Sequence, residues 1–382
     1  MWHRLPALAA TVLLGLSVSA QSPPNNGKTE AAENAHKLRV GVRSEARPFS
    51  YKSDTLLDVL TAATPGPLAQ RNYTGYMVKI CDAVLNEMMI DPRGPDLTSQ
   101  EIEVVDLDTR LRETASVKGS RFRFLKPGEG QPEAEIDILC DPATITNERR
   151  AGLIISPPVY LTGISYVTRR GEQRSRDQRN EEGCPRPLQQ QPDRVQFLFG
   201  LVGNTTAANA GIRALLDTGE MPQDREALIR FLRGESDCRN DGQIKNIIDR
   251  MEDERQVLAS GPVLLFKTHK DASEAFCNGE IFYYVGDREI ITANAGTIPG
   301  CEFDNGNRTF TMDRYAIFGR VDYETDPARA LLVARFFEVL SQKILSHPSI
   351  LDQAFYDTFH PTAPTRTLEI FFRSVRGAPS EL

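Results

Sequence analysis

Six polar residues stand at or just beyond strand-like runs of this 382-residue chain. Arg43 follows "LRVGV". Thr144 and Arg149 follow "IDILC", within "CDPATITNERR". Thr205 and Thr206 follow "FLFGLVG", and Asp287 closes "IFYYVGD". Ligands of open α/β sheets collect beyond the carboxyl ends of the strands. An arginine fork donates two parallel, charge-assisted bonds to a carboxylate. Threonine hydroxyls and the free N–H groups of a helix start add further anion donors. Asp287 supplies the opposite charge, suited to an ammonium. Arginines, hydroxyls and one carboxylate together suit a zwitterion with an extra acidic group.

Each residue also has a plainer reading. Arg149 beside Glu148 reads equally as a surface arginine, in a short helix that Thr146 caps. Thr144 reads as a turn residue. Capping alone explains one of Thr205 and Thr206. Asp287 reads as the cap of the helix after it, and Arg43 as a solvated loop residue.

The elements that must position these residues alternate between strand and helix. Apolar alternation marks strands at 38–42, 102–107 and 134–142, extended chain at 156–171, and strands at 195–203, 263–269 and 281–287, with extended chain again at 314–321. Met77, Ile80, Cys81, Val84, Leu85 and Met88 keep helical spacing over 75–90. Further helices are expected after Asn204, at "DASEAFCNG" with Asp271 as N-cap, and at "REIITANAG". Asp326 caps a long helix with Pro327 in its first turn, and Leu332, Phe336, Val339 and Leu340 mark its inner face. The polar stretch 171–194 reads as a long loop, and 116–133 as a surface insertion. Segments 53–72 and 236–262 lengthen the chain further. The alternation predicts α/β layers with mainly parallel sheets.

Bulk properties bound the function. The net charge is −7, with 40% hydrophobic and 25% charged residues. No dense basic tract is present, which argues against a nucleic-acid partner. Residues 1–20 combine Arg4, an apolar core and a small-residue site ending at Ala20, the pattern of a cleaved signal peptide. Residues 21–36 read as a flexible leader. Export to an oxidising compartment makes the six cysteines candidates for up to three disulfides, in any of fifteen connectivities. Cys277 and Cys301 flank one strand–helix unit and are the favoured pair, while Cys81 and Cys140 read equally as buried thiols. No cysteine–histidine spacing suggests a metal, no nucleotide loop appears, and no cofactor is expected.

"LRVGVRSEARPFSY", "GYMVKICDAVLNEM", "IDILCDPATITNERR", "ISPPVYLTG", "GLVGNTTA" and "NGEIFYYVGD", in this order, resemble family 3 of the bacterial extracytoplasmic solute-binding proteins. These are polar amino-acid-binding components of ABC importers. The resemblance implies a two-lobed, type II periplasmic-binding-protein-like fold with two crossing hinge strands. It implies lobe 1 over 37–160 plus 317–375 and lobe 2 over 164–312. It further implies that Arg149, helped by Thr144, grips a ligand α-carboxylate. Thr205 and Thr206 would donate from the second lobe, and Asp287 would take the α-ammonium. "VGVRSEARPFSY" is closest to the glutamate/aspartate-binding branch, where Arg43 would meet a side-chain carboxylate. A second arginine would otherwise be left unpaired, so an acidic amino acid is the expected ligand. Asn204 departs from the glycine common at that place. The expected protein is a periplasmic monomer that hands an amino acid to a membrane permease, and not an enzyme. The alternatives are an exported dehydratase of the prephenate type and a ligand-presenting partner of a chemoreceptor.

Overall fold

A computed structural model describes residues 37–53, 65–92, 97–113, 120–126, 134–171, 184–185, 187–188, 191–219, 225–234, 238, 242–346 and 349–376. The expected signal peptide and leader lie outside them. So do parts of all four long insertions.

The first sheet has six strands: β1 (Leu38–Val42), β2 (Ile102–Asp106), β3 (Ile138–Thr144), β4 (Ile154–Ile155), β5 (Tyr160–Thr162) and a late strand, Asp313–Gly319. The second also has six: β6 (Ile164–Arg169), β7 (Phe197–Val202), β8 (Leu258–Ser260), β9 (Val263–Phe266), β10 (Ile281–Asp287) and β11 (Phe303–Asn305). The late strand is β12. The first sheet runs β2-β1-β3-β12-β4, with β5 also on β12, and the second runs β8-β9-β7-β10-β6-β11. Strands joined by helical crossovers pair in parallel: β1 with β2 and β3, β7 with β9 and β10. The crossing strands add antiparallel ladders, so both sheets are mixed.

The chain passes between the sheets twice, from β5 to β6 and from β11 to β12. This is the two-lobed α/β architecture of type II periplasmic-binding proteins. β5 and β12 pair in register, Tyr160 with Tyr315 and Thr162 with Asp313. Gly163 joins β5 to β6 at the tightest point. A Cβ there would lie 2.1 Å from the Thr311 carbonyl oxygen, so any larger residue must push the second crossing away.

Helix α1 (Tyr76–Ile90) buries all six residues of the predicted stripe. Asp106 caps α2 (Leu107–Arg112) by accepting from the Asp108 and Thr109 N–H groups. Thr146 caps the short α3 (Asn147–Arg150), its hydroxyl oxygen accepting from Arg149 N at 3.3 Å. α4 (Ile212–Asp217) follows a π-helical turn at Ala207–Gly211. Helix α5 (His269–Cys277) begins earlier than predicted. Thr268, not Asp271, is its N-cap, because the Thr268 hydroxyl accepts from Asp271 N. α6 (Arg288–Gly296) follows β10 directly. The long α7 (Pro327–Leu345) is capped by Asp326 as expected and buries its predicted inner face.

Two further expectations are corrected. Within 171–194 the structure places a β-hairpin arm, Pro187–Leu188 against Gln191–Val195. Within 116–133, residues Arg121–Phe124 form a 3-10 turn that buries Phe122 and Phe124. Polar neighbours on both sides hide this apolar anchor in the sequence. No helix among the described residues is long and apolar enough to cross a membrane.

All six cysteines pair. Cys277–Cys301 forms as favoured, Cys184 joins Cys238, and Cys81–Cys140 ties α1 to β3. The last is a disulfide where buried thiols were the open alternative. Closing a long loop restricts the unfolded chain. Cys81→Ala/Cys140→Ala is therefore expected to lower unfolding free energy by about 2–4 kcal/mol, measured by urea titration.

Candidate functional site

The carboxyl ends of both sheets meet between the lobes. Arg43 follows β1, Asp108 follows β2, and Thr144 ends β3 with Arg149 five residues on. Opposite stand Asn204, Thr205 and Thr206 after β7, His269 after β9, and Asp287 at the end of β10.

Arg149 reaches across the gap. Its Nη1 donates to the Thr144 carbonyl at 2.9 Å and its Nη2 to the Asn204 carbonyl at 3.4 Å. The guanidinium lies over the Phe122 ring at 4.7 Å. Both oxygen partners are neutral carbonyls, and no carboxylate among the described residues makes an ion pair with it. Burial and the neighbouring Arg121 push its pKa down to about 10, so it remains a cation at neutral pH. Asn204 stands in the left-handed region at φ 54°, which asparagine tolerates better than most residues. That conformation explains how it replaces glycine here. Its Nδ2 is buried without an acceptor.

Asp287 is 8% exposed, and no hydrogen bond of ordinary geometry reaches its Oδ1, although the Tyr315 hydroxyl, also without such a bond, lies beside the carboxyl and favours its charged form. It makes no side-chain cap bond to α6, so the plain capping role does not account for it. Burial pushes its carboxyl up to about 7. The Tyr315 side chain opposes that rise, while Asp313 and Glu289 add to it. Thr205 donates its hydroxyl to the Val202 carbonyl at 2.8 Å, and Thr206 makes no cap bond.

Arg43 differs from expectation. It is 2% exposed and is not an unpaired cation. Its Nε donates to Asp108 Oδ1 at 2.8 Å, and its Nη2 lies 2.8 Å from the same oxygen. Burial alone would weaken its hold on the proton, but Asp108, Asp141 and Glu45 reverse this and keep it firmly charged. Ser50 fixes its backbone, accepting from Arg43 N and donating to Arg43 O. The inference from Arg43 to an acidic ligand therefore loses its premise.

Five partners were not read from the sequence. Arg121 Nε is in ion-pair contact with the fully buried Asp141, and its Nη2 donates to the Pro142 carbonyl at 2.8 Å. Asp141 is held above its ordinary pKa by burial, against the pull of Arg121 and Arg43. His269 is kept neutral by burial and then by Arg43 and Arg121, with Nδ1 2.8 Å from the Tyr284 hydroxyl. Asp108 and Phe122 complete the set. The strand-end rule, extended to β2 and β9, points at Asp108 and His269.

Contacts at the rim join the lobes. Lys267 Nζ donates to the Arg112 carbonyl at 3.2 Å and to Gln256 Oε1 at 2.7 Å. Arg112 pairs with Glu45 at 2.7 Å and with Asp271 at 3.6 Å. Asn294 Nδ2 donates to the Arg47 carbonyl at 3.3 Å. The cleft is thus closed, and Gln256 brings the 236–262 insertion to its rim. Among the described residues no cluster of histidine, cysteine, aspartate and glutamate is placed to hold a metal.

No family model matches the chain, and no curated protein matches it. Solved structures do. The arginine-, lysine-, histidine-binding protein ArtJ from Geobacillus stearothermophilus aligns at 14% identity and TM-score 0.47, over 87% of this chain and 99% of that one. A mutant of ArgBP from T. maritima aligns at 16% and 0.46, over 86% and 98%. The ancestral amino acid-binding protein AncCDT-1, a precursor of cyclohexadienyl dehydratase, aligns at 14% and 0.46, over 87% and 100%.

Removing one member of a buried ion pair strands the other. Arg121→Ala is expected to cost about 3–5 kcal/mol of stability, and Asp141→Asn in the same background to recover part of it. A double-mutant cycle by denaturant unfolding reads the coupling.

Proposed function

We propose that this protein captures a free α-amino acid between its lobes and presents it, closed, to the membrane permease of an ABC importer, working in the periplasm after export. One observation carries the reading. A cation with no carboxylate partner, Arg149, faces a buried carboxylate with an unpartnered oxygen, Asp287, from opposite lobes of one cleft. A zwitterion satisfies both. Its carboxylate takes the Arg149 fork, with the orphaned Asn204 Nδ2 as a further donor, and its ammonium donates to Asp287. Thr144 ends the strand that leads to Arg149, and Thr205 and Thr206 follow Asn204, so all three belong to the proposed site. Both Thr144 and Arg149 come from the first lobe and Asp287 from the second, so a ligand bonded to all three stabilises closure over opening. The glutamate/aspartate reading rests on Arg43 needing a ligand carboxylate, and Asp108 already supplies one.

Full-length protein, refolded free of bound ligand, is expected to bind one or more of the twenty amino acids by calorimetry. Arg149→Ala should weaken that binding by at least about thirtyfold, the cost of truncating one partner of a buried charge pair. Arg150→Ala, on the exposed side of the same turn, should leave it unchanged.

Asp287 sets the pH dependence. In the closed cleft burial raises its carboxyl above the ordinary value, to about 7, so closing around it below that pH favours the protonated form. The ligand ammonium requires the ionised form. Affinity should fall as pH drops below about 7, approaching roughly tenfold per unit, and Asp287→Asn should bind weakly with no such slope. The sign reverses for the empty protein. The stability that a raised carboxyl pKa confers is present at low pH and lost as pH rises through about 7, and bound ligand should restore it.

A further inference from the structure

The ligand's side-chain class follows from where the remaining charges are cancelled, provided the amino-acid-binding reading above holds. Arg43 and Asp108 are 3% and 1% exposed at their side chains. The Asp108 carboxylate is fully used. Oδ1 accepts from Arg43 Nε and touches Arg43 Nη2, while Oδ2 accepts from the backbone N–H groups of Ser44 at 3.0 Å and Glu45 at 2.9 Å. The Arg43 charge is therefore neutralised at contact distance, by an anion that the chain itself holds with four contacts. Arg121 and Asp141 are also in ion-pair contact, on the neighbouring strand, although neither Asp141 oxygen accepts a hydrogen bond.

Two charges remain, and the ligand's own α-groups match them. Arg149 meets the α-carboxylate and Asp287 the α-ammonium. A ligand with a second carboxylate would bring into the closed cleft one negative charge more than its three arginines and three aspartates cancel. His269, the imidazole on the facing lobe, offers no compensating cation while burial keeps it neutral. An uncompensated buried charge is strongly disfavoured. An uncharged acceptor is not. Arg43 Nη2, although in ion-pair contact, has no hydrogen-bond acceptor of its own. An amide or hydroxyl oxygen would fill that position without adding charge.

We propose that Asp108 is the specificity-determining residue of the cleft: by claiming Arg43 it makes the protein select amino acids with an uncharged, hydrogen-bond-accepting side chain, of the glutamine or asparagine class, over glutamate and aspartate. Asp108 does not touch the ligand. It acts through Arg43.

Calorimetric titration of the full-length, ligand-stripped protein with glutamine, asparagine, glutamate, aspartate, arginine and lysine tests this. The wild type should bind glutamine or asparagine at least about a hundredfold more tightly than any charged member of the panel. Asp108→Asn frees the Arg43 charge and should shift the glutamate-to-glutamine affinity ratio toward glutamate by about the same factor. Arg43→Gln/Asp108→Asn removes both charges and the Nη2 donor, and should weaken glutamine and asparagine binding without gaining affinity for glutamate or aspartate. A merely structural Asp108 would weaken all ligands alike. A wild type that binds glutamate, aspartate, arginine or lysine as tightly as glutamine and asparagine overturns the inference and leaves amino-acid binding standing. An unchanged ratio in a folded Asp108→Asn also overturns it. If that variant does not fold, the wild-type panel and the double variant decide. A wild type that binds no amino acid overturns the underlying reading, and the inference with it.

Discussion

The cleft depends on one constraint: charges removed from water must be cancelled nearby. Three arginines, Arg43, Arg121 and Arg149, gather at the carboxyl ends of the first sheet. Such a cluster would repel itself and cost the closed state dearly if left alone. Asp108 and Asp141 cancel two of the three. Arg149 is left with carbonyls and an aromatic face, and Asp287 waits on the other lobe. The architecture can close around this arrangement because the parallel strands end together and buried hydrophobic clusters back them. Disulfides reinforce both lobes. Cys81–Cys140 anchors β3, whose far end carries Thr144 and leads to Arg149. Cys277–Cys301 holds α5, which begins at His269.

The crossing strands connect this chemistry to motion. Tyr160 and Tyr315 pair across β5 and β12, and Tyr315 lies within electrostatic reach of Asp287. A residue of the hinge therefore senses the same carboxyl that is proposed to hold the ammonium. Thr162 donates to Glu289 at 2.5 Å, joining the hinge to the helix that follows Asp287. Opening the cleft must also break the rim contacts that cross it: Lys267 to the Arg112 carbonyl, Arg112 to Asp271, and Asn294 to the Arg47 carbonyl. These partly exposed pairs are individually weak, as a reversible closure requires.

Much of the fold was legible in the sequence because periodicity reports local burial directly. The stripe from Met77 to Met88, the strands around Val40 and Tyr284, and the Asp326 cap all follow from spacing and side-chain chemistry. The site was only half legible. Strand ends located Arg43, Arg149 and Asp287, yet pairing is a property of three dimensions. Asp108 lies 65 residues from Arg43, and no spacing rule links them, so Arg43 read as a free cation. Arg121 and Phe122 were hidden because their flanks are polar, although the apolar alternation in "SRFRF" was a usable signal. The start of α5 was misplaced by two competing caps, Thr268 and Asp271, which in the structure hydrogen-bond to each other.

The central claim is that Asp287 must ionise to receive a ligand ammonium. Proton release on amino-acid binding measures this directly. Calorimetric titrations at pH 6, in buffers of different ionisation enthalpy, give the number of protons exchanged. A carboxyl that already has, before ligand arrives, the pKa of about 7 that burial gives it in the closed cleft predicts release of close to one proton per ligand bound. Binding with no proton release would contradict the account.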